Sequence, residues 1–123
     1  MDKEISMINL VYTSTATHQM EEDELLCLLE QARDRNKRQN VTGMLLYGTG
    51  SFYQVLEGEK EDVEDIYQSI VKDGRNHSNI VILKNEIDER AFPNWSMGFK
   101  DLRKETSQSI DGYSDFMLSL IHI

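Results

Sequence analysis

The sequence predicts a small α+β fold: a ferredoxin-like β-α-β-β-α-β-β sheet with two helices on one face, plus a C-terminal helix. Three observations carry this. Two segments repeat apolar residues at three- and four-residue spacing; five short segments are rich in branched and aromatic residues; and Gly48-Thr49-Gly50 punctuates two of the latter as a hairpin. At 123 residues there is room for one domain with a single core, which we place at residues 1–101, leaving 102–123 as a helical extension.

The first strand is expected at 5–13, with Ile8, Leu10 and Tyr12 on one face and Met7, Asn9 and Val11 on the other. Residues 13–20, rich in Ser and Thr, read as a loop in which Thr17 or a polar neighbour caps the next helix. That helix spans about 21–37. Its inward stripe is Leu25, Leu28, Leu29 and Ala32, and acids at 21–24 suit its positive end. One further step of four reaches Asn36, where the stripe calls for an apolar residue; a helix-ending cap and a ligand contact both remain open there.

Met44–Tyr47 and 50–59 form the hairpin strands, and a second helix follows at about 60–72 with Val63, Ile66, Tyr67, Ile70 and Val71 on one stripe. Asp73-Gly-Arg-Asn-His77 is a polar turn leading to a fourth strand at 79–87. After Phe92-Pro-Asn comes a fifth strand, Trp95 to Phe99, with Trp95, Met97 and Phe99 sharing a face. The stretch 105–121 repeats Ile110, Tyr113, Phe116, Met117 and Leu120 and predicts a third helix, covering the other sheet face or a partner.

Composition narrows the function. Thirteen basic against 22 acidic residues leave a charge of −9, which argues against tracking phosphate backbones; no nucleic-acid partner is expected. No apolar run approaches the ~20 residues of a membrane span, and no basic-then-apolar leader opens the chain. The single Cys27 fits a reducing compartment, and we expect a cytoplasmic protein. His18 and His122 have no neighbouring ligands in sequence, so no metal is expected, and neither a phosphate loop nor a nucleophile elbow is present.

The informative residues are polar ones in apolar rows. On 50–59 the alternation puts Phe52, Gln54 and Leu56 on one face, and a primary amide buried there is costly unless its donors and acceptor are met. In a ferredoxin-like sheet the first and third strands are neighbours, which brings Tyr12 beside Gln54. With Asn36 across from them and Trp95 and Met97 on the fifth strand, a polar cluster forms inside a greasy layer. Each residue alone is ordinary core; together they point to a planar polar ligand.

The chain resembles the BLUF family, sensors of blue light using flavin, of the short stand-alone type. The matching residues are Leu-Val-Tyr-Thr-Ser at 10–14, Arg-Asn at 35–36, Val-Thr-Gly-Met-Leu-Leu-Tyr at 41–47, Phe-Tyr-Gln-Val-Leu-Glu-Gly at 52–58, Lys-Asp-Gly-Arg at 72–75 and Phe-Pro-Asn-Trp-Ser-Met at 92–97. The resemblance implies a noncovalent flavin between the two helices, normally FAD, with FMN or riboflavin as substitutes. Tyr12 would donate an electron to the excited flavin; Gln54 would link that phenol to flavin N5 and C4=O; Asn36 would bind the C4=O and N3 edge. Leu28 and Ile70 are positional candidates for gripping the ring faces, and Trp95 and Met97 for relaying the signal. The family often carries Asp-x-Arg-His after the second helix. Here Asp73-Gly-Arg75-Asn76 stands there, so Asp73 and Arg75 carry over and the displaced His77 does not. Arg35, where relatives vary, reaches either the pyrimidine edge or solvent.

A phenol can release an electron and a proton together, and a primary amide that rotates or tautomerises inverts what it offers a neighbour. The expected function is therefore a blue-light photoreceptor, not an enzyme. Its output would pass through contacts with an effector protein or through homo-oligomerisation. The alternative is a ferredoxin-like ligand-binding or oligomerisation module without photochemistry; a small hydrolase is disfavoured because no nucleophile or acid–base pair is visible.

Overall fold

A computed structural model describes residues 6–103. Within them the chain runs β1 (Met7–Ala16), α1 (Glu22–Arg38), β2 (Thr42–Gly48), β3 (Ser51–Glu59), α2 (Lys60–Val71), β4 (Asn76–Ile87) and β5 (Gly98–Asp101). The sheet order is β4-β1-β3-β2-β5; β5 pairs parallel with β2 and the other pairs are antiparallel. This is the predicted α+β arrangement, with β1 and β3 at its centre. The predicted helix at 105–121 lies outside the described residues.

Strand alternation sorts the sheet into two faces. Ile8, Leu10, Tyr12, Leu45, Tyr47, Phe52 and Leu56 pack with Leu25, Leu29 and Ala32 of α1 and Val63 and Ile66 of α2. Both helices thus cover one face. Each fully buried Leu or Ile contributes roughly 1.5–3 kcal/mol by leaving water, so these stripes decide which way the helices turn. The other face carries Val11, Met44, Leu46 and Val55, closed by Phe92 and, at its margin, by Trp95 and Leu102.

Several boundaries differ from expectation, each for a physical reason. β1 continues through Thr13–Ala16, read from sequence as loop, because both flanks pair it: Ser14 sits opposite Phe52 and Thr15 opposite His77. Pairing outweighs the weak strand preference of Ser and Ala. β4 correspondingly starts at Asn76 rather than Asn79. The N-terminus of α1 is closed not by Thr17 but by a capping box, Glu21 N donating to Glu24 Oε1 at 2.9 Å, with Thr17 Oγ1 3.4 Å from His18 Nδ1 instead. Asn36 is not the cap either. It stays inside the helix, Gln39 ends it, and Asn40 takes the left-handed turn at φ 57°. On α2, Val71 falls off the stripe and is 41% exposed.

The largest correction concerns the fifth strand. Pairing with β2 begins only at Gly98, opposite Met44, so 92–97 follow no strand alternation. Met97 and Phe99 face the helix side, whereas Trp95 packs with Val55 and Met44 on the opposite side. Glycine at 98 is required there, because a Cβ would stand 1.9 Å from the Trp95 ring.

Candidate functional site

Between the two helices the sheet is left partly uncovered, and a cavity of about 270 Å³ opens. Leu28 and Ala32 of α1 form one wall and Ile70 of α2 the other; Tyr12, Leu45, Phe52 and Gln54 form the floor; Gln31, Arg35, Arg38, Asp73, Arg75 and Asn76 surround the mouth. An apolar slot with a few converging polar groups is the ordinary form of a small-molecule site, here just below the usual ~300–1,000 Å³.

Its floor is built by register. Tyr12 lies directly opposite Gln54 across β1 and β3, and directly opposite residues share a face. The Tyr12 hydroxyl donates to Gln54 Oε1, with both residues buried. Burial is the main force raising the Tyr12 pKa far above that of an ordinary phenol; the Arg35 cation opposes it, and Tyr67 and Asp73 add to it. The phenol is therefore neutral and holds its proton on the amide oxygen. The Tyr67 ring meets Tyr12 edge-on, with centroids 5.1 Å apart. The other end of the amide, Gln54 Nε2, points to Met97 Sδ at 3.4 Å, a weak acceptor. Gln54 is thus satisfied strongly through its oxygen and only weakly through its nitrogen.

Around this pair the charges are arranged by partner. Arg35 is half-buried and partly desolvated, which lowers its pKa against the pull of Tyr12 and Asp73; a guanidinium stays cationic through such a shift. Its Nε donates to Asn36 Oδ1 at 3.3 Å. Asp73 and Arg75 form a two-pronged pair, Nε to Oδ1 at 3.0 Å and Nη2 to Oδ2 at 2.6 Å; the hydrogen bonds from Arg75 hold the Asp73 carboxyl below the usual range. Asn76 donates to the Ile70 and Asp73 carbonyls and so fixes the turn below α2.

Of the residues singled out from sequence, Tyr12, Leu28, Arg35, Gln54, Ile70, Asp73 and Arg75 meet around the slot. Met97 reaches it through Gln54. Asn36 is fully buried but is not among the lining residues; its Nδ2 donates to Ser96 O at 2.7 Å. Trp95 is on the far face. Reading the sequence passed over Ser14, Gln31, Arg38, Leu45 and Asn76. Ser14 was within reach: it stands two residues beyond Tyr12, so a strand extended by one turn of alternation would have placed it on the floor.

A flavin fits these residues. The walls are apolar and opposed, as an aromatic ring system requires, and the buried Ser14 Oγ lining the slot has no hydrogen-bond partner among the described residues. The polar rim combines donors and acceptors, as a cofactor with a ring edge and a ribityl–phosphate tail would need. Among the described residues no group of three or more His, Cys, Asp and Glu could hold a metal.

A phenol–amide pair on the floor of such a slot is the arrangement of a domain that binds a small planar ligand. Residues 7–98 match the family model BLUF, described as sensors of blue light using FAD, and the chain belongs to that family. It is 38% identical over 86 residues to the photoactivated adenylate cyclase subunit alpha of Euglena gracilis, covering 70% of this chain and 8% of that one. A bacterial light-regulated adenylyl cyclase superposes with a TM-score of 0.79 at 33% identity, over 94% of this chain and 34% of that one. BlsA in its photo-activated state superposes at 0.74 and 34% identity, over 80% and 71%. The chain thus spans a minor part of the cyclases and most of BlsA. It is a flavin-binding blue-light sensor domain, with FAD as its chromophore.

Proposed function

We propose that blue light switches the hydrogen bonds of Gln54, and that the change leaves the domain through Met97 and the segment before it. The observation that carries this reading is the Tyr12–Gln54 hydrogen bond on the floor of the slot, with the amide nitrogen resting on Met97 Sδ. Excited by blue light, a bound flavin becomes a strong oxidant. Tyr12 would be the donor: buried and neutral, it would lend an electron to the bound group and its proton along the bond to Gln54, and take both back on recombination, so that no net oxidation remains. Gln54 responds by rotating or tautomerising, which exchanges donor for acceptor toward both the ligand and Met97. Leu28 and Ile70 hold the ring faces, Arg35 and Asn36 serve its polar edge, and Asp73 and Arg75 hold the mouth in shape. Trp95 responds through its chain neighbours rather than by contact with Gln54.

Output passes by protein contact, to an effector protein or to a second copy of the chain, and the protein works in the cytoplasm. The contact output is supported by the weakness of the Gln54–Met97 link, which a local change can break, and the compartment by the single Cys27, which fits a reducing environment.

The purified protein is expected to be yellow and to show a small, dark-reversible red shift under blue light. Tyr12→Phe and Gln54→Leu are each expected to retain flavin and lose the shift entirely. A normal photocycle in both would refute the assigned roles, and a colourless protein that takes up no flavin would leave only a ligand-binding module.

A further inference from the structure

Three residues after Gln54, on the opposite face of β3, Glu57 is buried to 2% exposure. A carboxylate in such a place requires compensation. Among the described residues it forms no ion pair. Its compensation is main chain: Ala91 N donates to Oε2 at 2.8 Å and Phe92 N to Oε1 at 3.0 Å. Thr42, in register with Glu57 on β2, adds its hydroxyl at 3.3 Å. Arg90 braces the assembly from outside, donating to Thr42 Oγ1, Glu57 O and Asn40 O.

The segment gripped here is the one that ends at Gln54. From Phe92, itself buried, it runs to three consecutive carbonyls, each held by a different group: Trp95 O by Gly43 N, Ser96 O by Asn36 Nδ2 and Met97 O by Arg33 Nε. Met97 Sδ then meets Gln54 Nε2. The segment therefore spans from one β3 side chain to another, through the plane of the sheet. Its ends are unequal. Two main-chain N–H groups on a buried carboxylate are charge-assisted bonds, whereas an amide on a thioether is among the weakest.

Resting on the photoreceptor reading, we propose that Glu57 is the positioning residue of the light switch: its carboxylate pins the segment at Ala91–Phe92, so that a change at Gln54 turns the Trp95–Met97 end about that fixed point. A free segment would absorb the change locally; a pinned one converts it into displacement of Trp95 across the far face.

Trp95 is the only tryptophan in the chain, so its fluorescence reports this segment alone. Glu57→Gln keeps the shape but sets an NH₂ against one of the two N–H donors. In the full chain loaded with FAD, it is expected to bind flavin and red-shift normally in light. Dark recovery should slow about fivefold, and acrylamide quenching of Trp95 should rise about twofold, because the dark placement has lost part of its anchor. Both are read well below the variant's melting temperature. Arg90→Gln, which removes only the outer brace, should move both readouts the same way by less. Unchanged recovery and unchanged quenching in Glu57→Gln would overturn the proposal. If that variant does not fold, unchanged values in Arg90→Gln would do so. A wild type that binds flavin without any red shift would instead sink the photoreceptor reading, which separates the two failures.

Discussion

The slot between the helices and the seam formed by residues 91–97 are both rich in buried polar atoms, yet they treat them differently. In the seam every polar group described above is met inside the chain: Glu57 by two main-chain donors, Asn36 by Ser96 O, and the carbonyls of 95–97 by three separate donors. In the slot, Ser14 Oγ is unmet and Gln54 Nε2 has only a thioether. A buried polar group that is satisfied internally holds structure; one that is left over marks where a ligand belongs. Two contacts join the regions: Arg35 Nε to Asn36 Oδ1, and Gln54 Nε2 to Met97 Sδ, the second linking a ligand-facing amide to a structural seam.

The sharpest test of that distinction is Asn36→Ala. Asn36 serves the flavin edge in the proposed reading; if its Nδ2 also belongs to the seam, its loss leaves Ser96 O buried without a donor and opens a void whether or not flavin is bound. Flavin-free protein should then lose about 2–3 kcal/mol, measured by chemical unfolding. A variant as stable as wild type without flavin would leave Asn36 to the ligand side alone.

An intermediate effect is expected from Tyr12. Its folded pKa is raised above the unfolded value of about 10, so it contributes stability below pH 10 that is lost as pH rises toward the folded pKa. Between pH 10 and 11 the stability of wild type relative to Tyr12→Phe should fall by about 1 kcal/mol. A constant difference across that interval would mean that the phenol is not sealed in the slot.

The smallest effect separates the regions most cleanly. Ser14→Ala removes a hydroxyl with no internal partner, so flavin-free stability should be unchanged or slightly higher. The flavin Kd should rise about fivefold, the effect of one lost neutral hydrogen bond. A stability loss without a change in Kd would show that the hydroxyl serves the fold.

What the sequence discloses depends on how local the cause is. Leu25, Leu29 and Ala32, or Val63 and Ile66, declare their face by spacing alone, and the two-residue hairpin declares itself by glycine; Gly50 does adopt φ +76°. The pairing of Tyr12 with Gln54 was also legible, since alternation supplies the faces and the topology supplies the neighbour. The opposite sides taken by Trp95 and Met97 were not. Alternation holds only where a strand is paired, and pairing starts at Gly98. Ser14 was lost for the converse reason, a pairing that extends past the residues with strand preference.

The sequence by itself determined the elements, the faces of the helices, the central strand pair and the residue types of a flavin sensor. Each follows from a period of 3.6 or 2, from turn chemistry, or from an ordered set of motifs spread along the chain. The tertiary structure alone decided which buried polar groups are already partnered and which are left over. That depends on carbonyls and amides brought in from distant positions, such as Ala91 N and Phe92 N on Glu57 or Ser96 O on Asn36, whose directions no side-chain pattern encodes.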